Sequence, residues 1–225
     1  MSTCSDSYER GETSDIHLPE KDEEKLTHRG ITAAQGIDRA TTDIVEPSPQ
    51  TFQDTPDLPA DTQEQVAEGI ERLSQIDEIK QDNWRDATEE ERLQGLQQTE
   101  NTMAEIQGRP PVEIVSEHLP RGIYGFFDDN QIHINTEALQ SSDIAQAVDT
   151  IAHEGRHAYQ VYAINNPRFH SNSTEVDSWR ENRENYLNAE IYGQELYQNQ
   201  PVEADAWSYG TAIRQGIYGD SEVES

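Results

Sequence analysis

A single cysteine, Cys4, stands among 225 residues, so no intrachain disulfide forms and a zinc knuckle built on cysteines is excluded. Basic residues are scarce as well. Sixteen Lys and Arg face 45 Asp and Glu, a formal charge of -29, whereas binding to a phosphate backbone or an anionic membrane needs the opposite balance. Neither nucleic acid nor membrane is expected as a partner. No run of about 18 apolar residues occurs, and Met1 to Arg10 lacks the apolar stretch of a secretory signal. The sequence therefore predicts a soluble protein, cytoplasmic when synthesised, which if exported would use a route without a signal peptide. Apolar residues make up only 32%, too few to pack the entire chain. The shortfall is local: residues 1–66 hold one Tyr, one Phe, no Trp, an acidic excess and the proline-spaced run from Glu46 to Pro59. They read as a disordered acidic leader, 1–66, ahead of a folded domain, 67–225.

The segment that stands out is His153-Glu154-Gly155-Arg156-His157. Random placement of seven histidines and the glutamates of this chain gives only about 0.03 such HExxH patterns. On a helix rising about 1.5 Å per residue, the two histidines stand roughly 6 Å apart on one face, within reach of a single metal ion, and zinc is the ion such a pair suits. Glu154 lies beside them as a general base for water.

Element patterns surround the motif. Val66, Ile70, Leu73, Ile76 and Ile79 predict one amphipathic helix over Asp61–Lys80. Thr88 and Glu91 form a capping box for a second helix, which Gly108 ends. Val112–Val115, then Gly122–Phe127, a polar turn at Asp128-Asp129-Asn130 and Gln131–Asn135 read as a strand and a hairpin. His133 alternates with Ile132 and Ile134 and is expected to face solvent. The motif helix spans 142–164 behind a Ser142 cap, with Ile144, Val148, Ile151, Gly155, Ala158 and Tyr162 on its packed face and both histidines opposite. Helices are expected over Thr174–Gln198 and from Pro201 to about Ile213. Neither a repeat nor a Gly-rich phosphate loop is present.

Catalytic zinc takes a third protein ligand. His170, Glu175, Asp177, Glu203 and Asp205 are candidates, and Glu203 is favoured because Pro201 opens a helix with Glu203 in its first turn, a rigid mount. Asp149 and Asp205 are candidates to hold the ligating imidazoles. Tyr186, His170, Tyr192, Tyr209 and Arg156 are candidate oxyanion donors, Tyr186 first because it clusters with Asn182 and Asn185.

HEGRHAYQ, the strand-turn-strand ending at Ile134-Asn135, the Trp179 and Asn185-Tyr186 segment and the late QPVEADA together resemble a known family. It is the glutamate-type zincin metallopeptidase domain found in bacterial polymorphic toxins and secreted effectors, and the likeness covers about residues 84–215. The resemblance implies an α+β zincin-like fold, mostly helical, with a small mixed or antiparallel sheet on the HExxH helix and an edge strand free to hold an extended peptide. It implies His153, His157 and Glu203 as zinc (Zn2+) ligands and Glu154 as base. The implied activity is hydrolysis of protein or peptide substrates by a Glu-activated, zinc-bound water. An injected effector is implied too, with a delivery apparatus engaging the leader and a cognate inhibitor as candidate partners. Two other readings are a non-catalytic interaction protein on a zincin scaffold and a metal-dependent amidase acting on a non-protein amide.

Overall fold

The computed structural model describes residues 58–219. Most of the expected leader lies outside them, but its boundary at residue 66 is too late. Helix α1 (Ala60–Leu73) already buries Thr62 and Val66. Composition averaged over 66 residues hides a helix whose first turns are polar yet packed.

The helix expected over Asp61–Lys80 is broken. At the end of α1 the Ser74 hydroxyl takes the Ile70 carbonyl, and the Gln75 and Ile76 N–H groups close back on Arg72 and Leu73. The chain then makes a single 3-10 turn, Asp77–Ile79, and helix α2 (Gln81–Asp86). The bend sinks both Ile76 and Ile79 into the core, where they pack with Leu73 and Trp84. Helix α3 (Glu89–Gln107) starts and stops as the sequence predicts, with both hydrogen bonds of the Thr88–Glu91 capping box formed and Gly108 left-handed at φ 71°.

A three-stranded mixed sheet follows: β1 (Glu113–Glu117), β2 (Gly125–Phe127) and β3 (Gln131–Asn135), in spatial order β1-β3-β2. Strands β1 and β3 are parallel, whereas β2 and β3 form the predicted hairpin. Asp128 holds the turn by accepting from the Asn130 and Gln131 N–H groups at 2.9 and 2.8 Å. His133 lies on the face opposite Ile132 and Ile134, stacked on Phe126 between Glu117 and Asp128, so it is half-buried rather than plainly solvent-facing.

After α4 (Thr136–Gln140) comes the motif helix α5 (Ile144–Asn165), capped by Asp143 and not by Ser142: the Asp143 carboxylate accepts from the Gln146 N–H. The helix expected over Thr174–Gln198 is three shorter ones, α6 (Ser173–Glu184), α7 (Ala189–Tyr192) and α8 (Gln194–Gln198). Asn185 ends the first, the Asn188 side chain caps the second, and Gly193 at φ 88° separates the second from the third. Helix α9 starts at Pro201 as expected and runs on to Tyr218, whose hydroxyl donates to the Ile79 carbonyl. The molecule is α+β and mostly helical, with the small mixed sheet and the long helices α3 and α9 packed around α5. No helix among the described residues is long and apolar enough to cross a membrane.

Candidate metal centre

Helix α5 has no free face over the motif. His153, Glu154, Gly155, Arg156 and His157 are all buried, so the polar face expected to lie open is covered. Its neighbours explain this. On the Gly155 side lies a buried ion pair, Arg109 to Glu100 at 2.6 and 2.9 Å, and a Cβ on Gly155 would stand 2.8 Å from Glu100 Oε2. On the histidine side α9 crosses closely at Gly210, where a Cβ would fall 2.8 Å from Asp149 Oδ1 and 3.4 Å from His153 Cβ. Glycine at these two positions is a requirement of close approach.

The approach of α9 delivers Glu203 to the histidines. His153 Nε2 and His157 Nε2 are 3.2 Å apart; Glu203 Oε2 is 3.4 Å from the first and Glu203 Oε1 3.5 Å from the second. A tetrahedral metal roughly 2.0–2.1 Å from its ligands separates those ligands by about 3.3–3.4 Å. The separations are close to that spacing, with each histidine facing a different oxygen of the Glu203 carboxylate. Glu154 lies with them: donor atoms of His153, Glu154 and His157 fall within 4.8 Å of one another, a cluster that could hold a metal ion. Two carboxylates thus compete for the third ligand position. Glu203 has the better claim because its buried Oε2 has no hydrogen-bond partner, while Glu154 already accepts from the Phe127 backbone N–H.

The charges are strongly coupled. Burial works against a charged His153, but Glu203, Glu154 and Asp149 outweigh it and hold the imidazole up at about 9. Burial likewise opposes ionised Glu203, yet the two histidines and the Tyr186 hydroxyl, which donates to Oε1 at 2.6 Å, hold it down at about 2. Burial pushes the Glu154 carboxyl up. Burial and the Glu203 charge push the Tyr186 phenol far up, so it stays a donor.

The other candidates separate clearly. Asp205 ion-pairs with Arg156 and accepts from Gln160, whose carbonyl faces His157 Nδ1 at 3.0 Å. Asp149 makes no hydrogen bond to His153, and both Asp149 Oδ1 and His153 Nδ1 are buried without a partner. His170 is taken up by Tyr159 and Glu175, and Asp177 pairs with Arg180, so none of these three reaches the centre. Tyr192 is half exposed; Tyr209 is buried against the Arg156 guanidinium, 5.1 Å from the ring centre. Arg156 itself is fully buried and committed to Asp205, Gln65 and Thr62, which removes it as an oxyanion donor. Sequence reasoning missed Gln160, Trp207, whose ring packs edge-on against His153 at 4.7 Å, and Tyr197, against Tyr186 at 6.1 Å. Only Gln160 left a signal, one turn beyond His157 on the same helix. Compared with protein-family models, curated proteins and solved structures, the chain matches none.

Proposed function

We propose that this chain is a zinc-dependent metallopeptidase of the zincin type, acting on protein or peptide substrates. The observation that carries the reading is the near-tetrahedral triangle of His153 Nε2, His157 Nε2 and the Glu203 carboxylate, with Glu154 beside it. His153, His157 and Glu203 would hold the ion, and two imidazoles with one carboxylate suit zinc better than magnesium or calcium. When bound, zinc supplies Lewis acidity, which acidifies water and polarises a carbonyl. Glu154 takes the proton of the attacking water and passes it to the departing amide nitrogen, a task favoured by burial, which pushes its carboxyl up. Tyr186 orients Glu203 by donating its one hydroxyl hydrogen to Oε1, and to serve as the oxyanion donor it would have to turn that hydrogen from Glu203 to the substrate.

Strand β2 lies at the sheet edge nearest α5. Phe126 pairs with His133, so by antiparallel alternation the Gly125 and Phe127 backbone groups point off that edge, and the Phe127 N–H reaches Glu154. An extended substrate adding along this edge would have to take the Phe127 N–H from Glu154.

One observation favours a second reading, a non-catalytic protein stabilised by its metal: His153, Glu154, His157 and Glu203 are 7%, 8%, 4% and 1% exposed. A single comparison separates the two. Wild type and Glu154→Gln are each loaded with zinc, shown by elemental analysis, and incubated with a whole-cell proteome, and new peptide termini are identified by mass spectrometry. Termini made by wild type alone are the expected result; the same termini from both proteins would refute the peptidase.

A further inference from the structure

We infer that Gln160 is the residue that positions His157 as a metal ligand, by fixing which ring nitrogen carries the proton. The inference rests on the metal-centre reading above. An amide's oxygen and nitrogen are told apart by their partners. Gln160 is fully buried, and one end of its amide meets two groups that can only accept at this site, the Val202 carbonyl at 2.9 Å and the Asp205 carboxylate at 2.7 Å. That end must be the NH2 group, since the reverse orientation would set an oxygen against two buried acceptors. The carbonyl Oε1 is then the atom 3.0 Å from His157 Nδ1, and an amide oxygen only accepts. His157 Nδ1 therefore carries hydrogen, and the lone pair lies on Nε2, the atom that faces His153 and Glu203.

What keeps Gln160 in place is Asp205, and what keeps Asp205 in place is Arg156. Both Asp205 oxygens accept from the guanidinium, at 2.8 and 2.9 Å, so the carboxylate cannot rotate away from Gln160. The outcome is a relay, Arg156–Asp205–Gln160–His157, in which a neutral amide stands between a part-buried carboxylate and the ligand. His153 has no counterpart, because its Nδ1 is unpartnered. The two ligating imidazoles are thus held differently, His157 by a fixed network and His153 by packing against Trp207 and Gly210.

The test uses the full chain with 15N-labelled histidine rings. Two-bond proton–nitrogen correlation spectra of the metal-free protein report the His157 tautomer, and the His157→Ala variant identifies the signal. Wild type is expected to show hydrogen on Nδ1. Gln160→Met, of similar length but unable to accept, is expected to move hydrogen toward Nε2 and to weaken zinc binding about 10- to 100-fold in competition with a chromophoric chelator. Hydrogen on Nε2 of His157 in wild type would overturn the inference, and so would a Met variant that keeps both tautomer and zinc affinity. The wild-type tautomer is read without Gln160→Met, so misfolding of that variant leaves the test standing. A wild type with hydrogen on Nδ1 that takes up no zinc supports the role of Gln160 and refutes the metal centre, which keeps the two failures apart.

Discussion

His153 and Glu203 stabilise each other's charge in the metal-free site, and the pH dependence follows from the direction of each shift. His153, raised from 6.5 to about 9, contributes its full stability below 6.5 and loses it as pH climbs through 9. Glu203, lowered from 4.5 to about 2, contributes fully above 4.5 and loses it as pH falls through 2. Chelator-treated protein therefore draws most stability from this pair between pH 4.5 and 6.5. Urea midpoints in a chelator should decline from pH 6.5 toward 9, and a steady rise across that interval would contradict the assignment. Zinc must displace the His153 proton, so its affinity should increase up to about pH 9 and its uptake at pH 7 should release protons. Calorimetry in buffers of different ionisation enthalpy measures that release directly. Glu154→Gln should keep zinc while losing about 100- to 10,000-fold in turnover of a cleavable peptide.

Between elements, the decisive contact is the crossing of α5 and α9 at Gly210. Alanine there would press on Asp149 and His153, forcing α9 outward and Glu203 away from the imidazoles. Gly210→Ala should cost roughly 1–3 kcal/mol in chemical denaturation, and zinc affinity should fall with it. Loss of stability with unchanged zinc affinity would mean that α9 does not set the ligand geometry. Several elements were legible in the sequence because their signals are local. The Thr88 box and Gly108 mark both ends of α3, HExxH spacing marks the two histidines, and Pro201 marks the helix that carries Glu203. Where the signal depended on distant partners, sequence reading fell short. The segment from Ser173 to Gln198 has helical spacing throughout, yet Asn185, Asn188 and Gly193 divide it. The histidine face of α5 reads as open because Asp149, Thr150 and Gln160 are polar, and only the arrival of α9 and α6 reveals that it is interior.

Across the whole molecule, one buried cation joins the parts. Arg156 reaches Thr62 and Gln65 on α1, Asp205 on α9 and the Tyr159 ring on its own helix, so three separate stretches of chain meet on one guanidinium. Removing it strips the part-buried Asp205 of its ion-pair partner and leaves it only the Gln160 amide. Arg156→Met should cost about 3–5 kcal/mol in urea unfolding, and adding Asp205→Leu should recover part of that loss, since the second change removes the stranded charge. A double variant no more stable than Arg156→Met would show that packing, and not the ion pair, is what Arg156 supplies. The same guanidinium explains why the second residue between Glu154 and His157 is more than a spacer: it anchors the relay that fixes His157.

Because the histidines are walled in by α9, the centre depends on the order of synthesis. His157 leaves the ribosome 46 residues ahead of Glu203, an interval of roughly 2–9 s at ordinary elongation rates. Throughout that time the growing chain has its two imidazoles and Glu154 but neither Glu203 nor the Asp205 that braces Gln160. The cluster of His153, His157 and Glu203 is therefore complete only once residues 201–218 are made and docked.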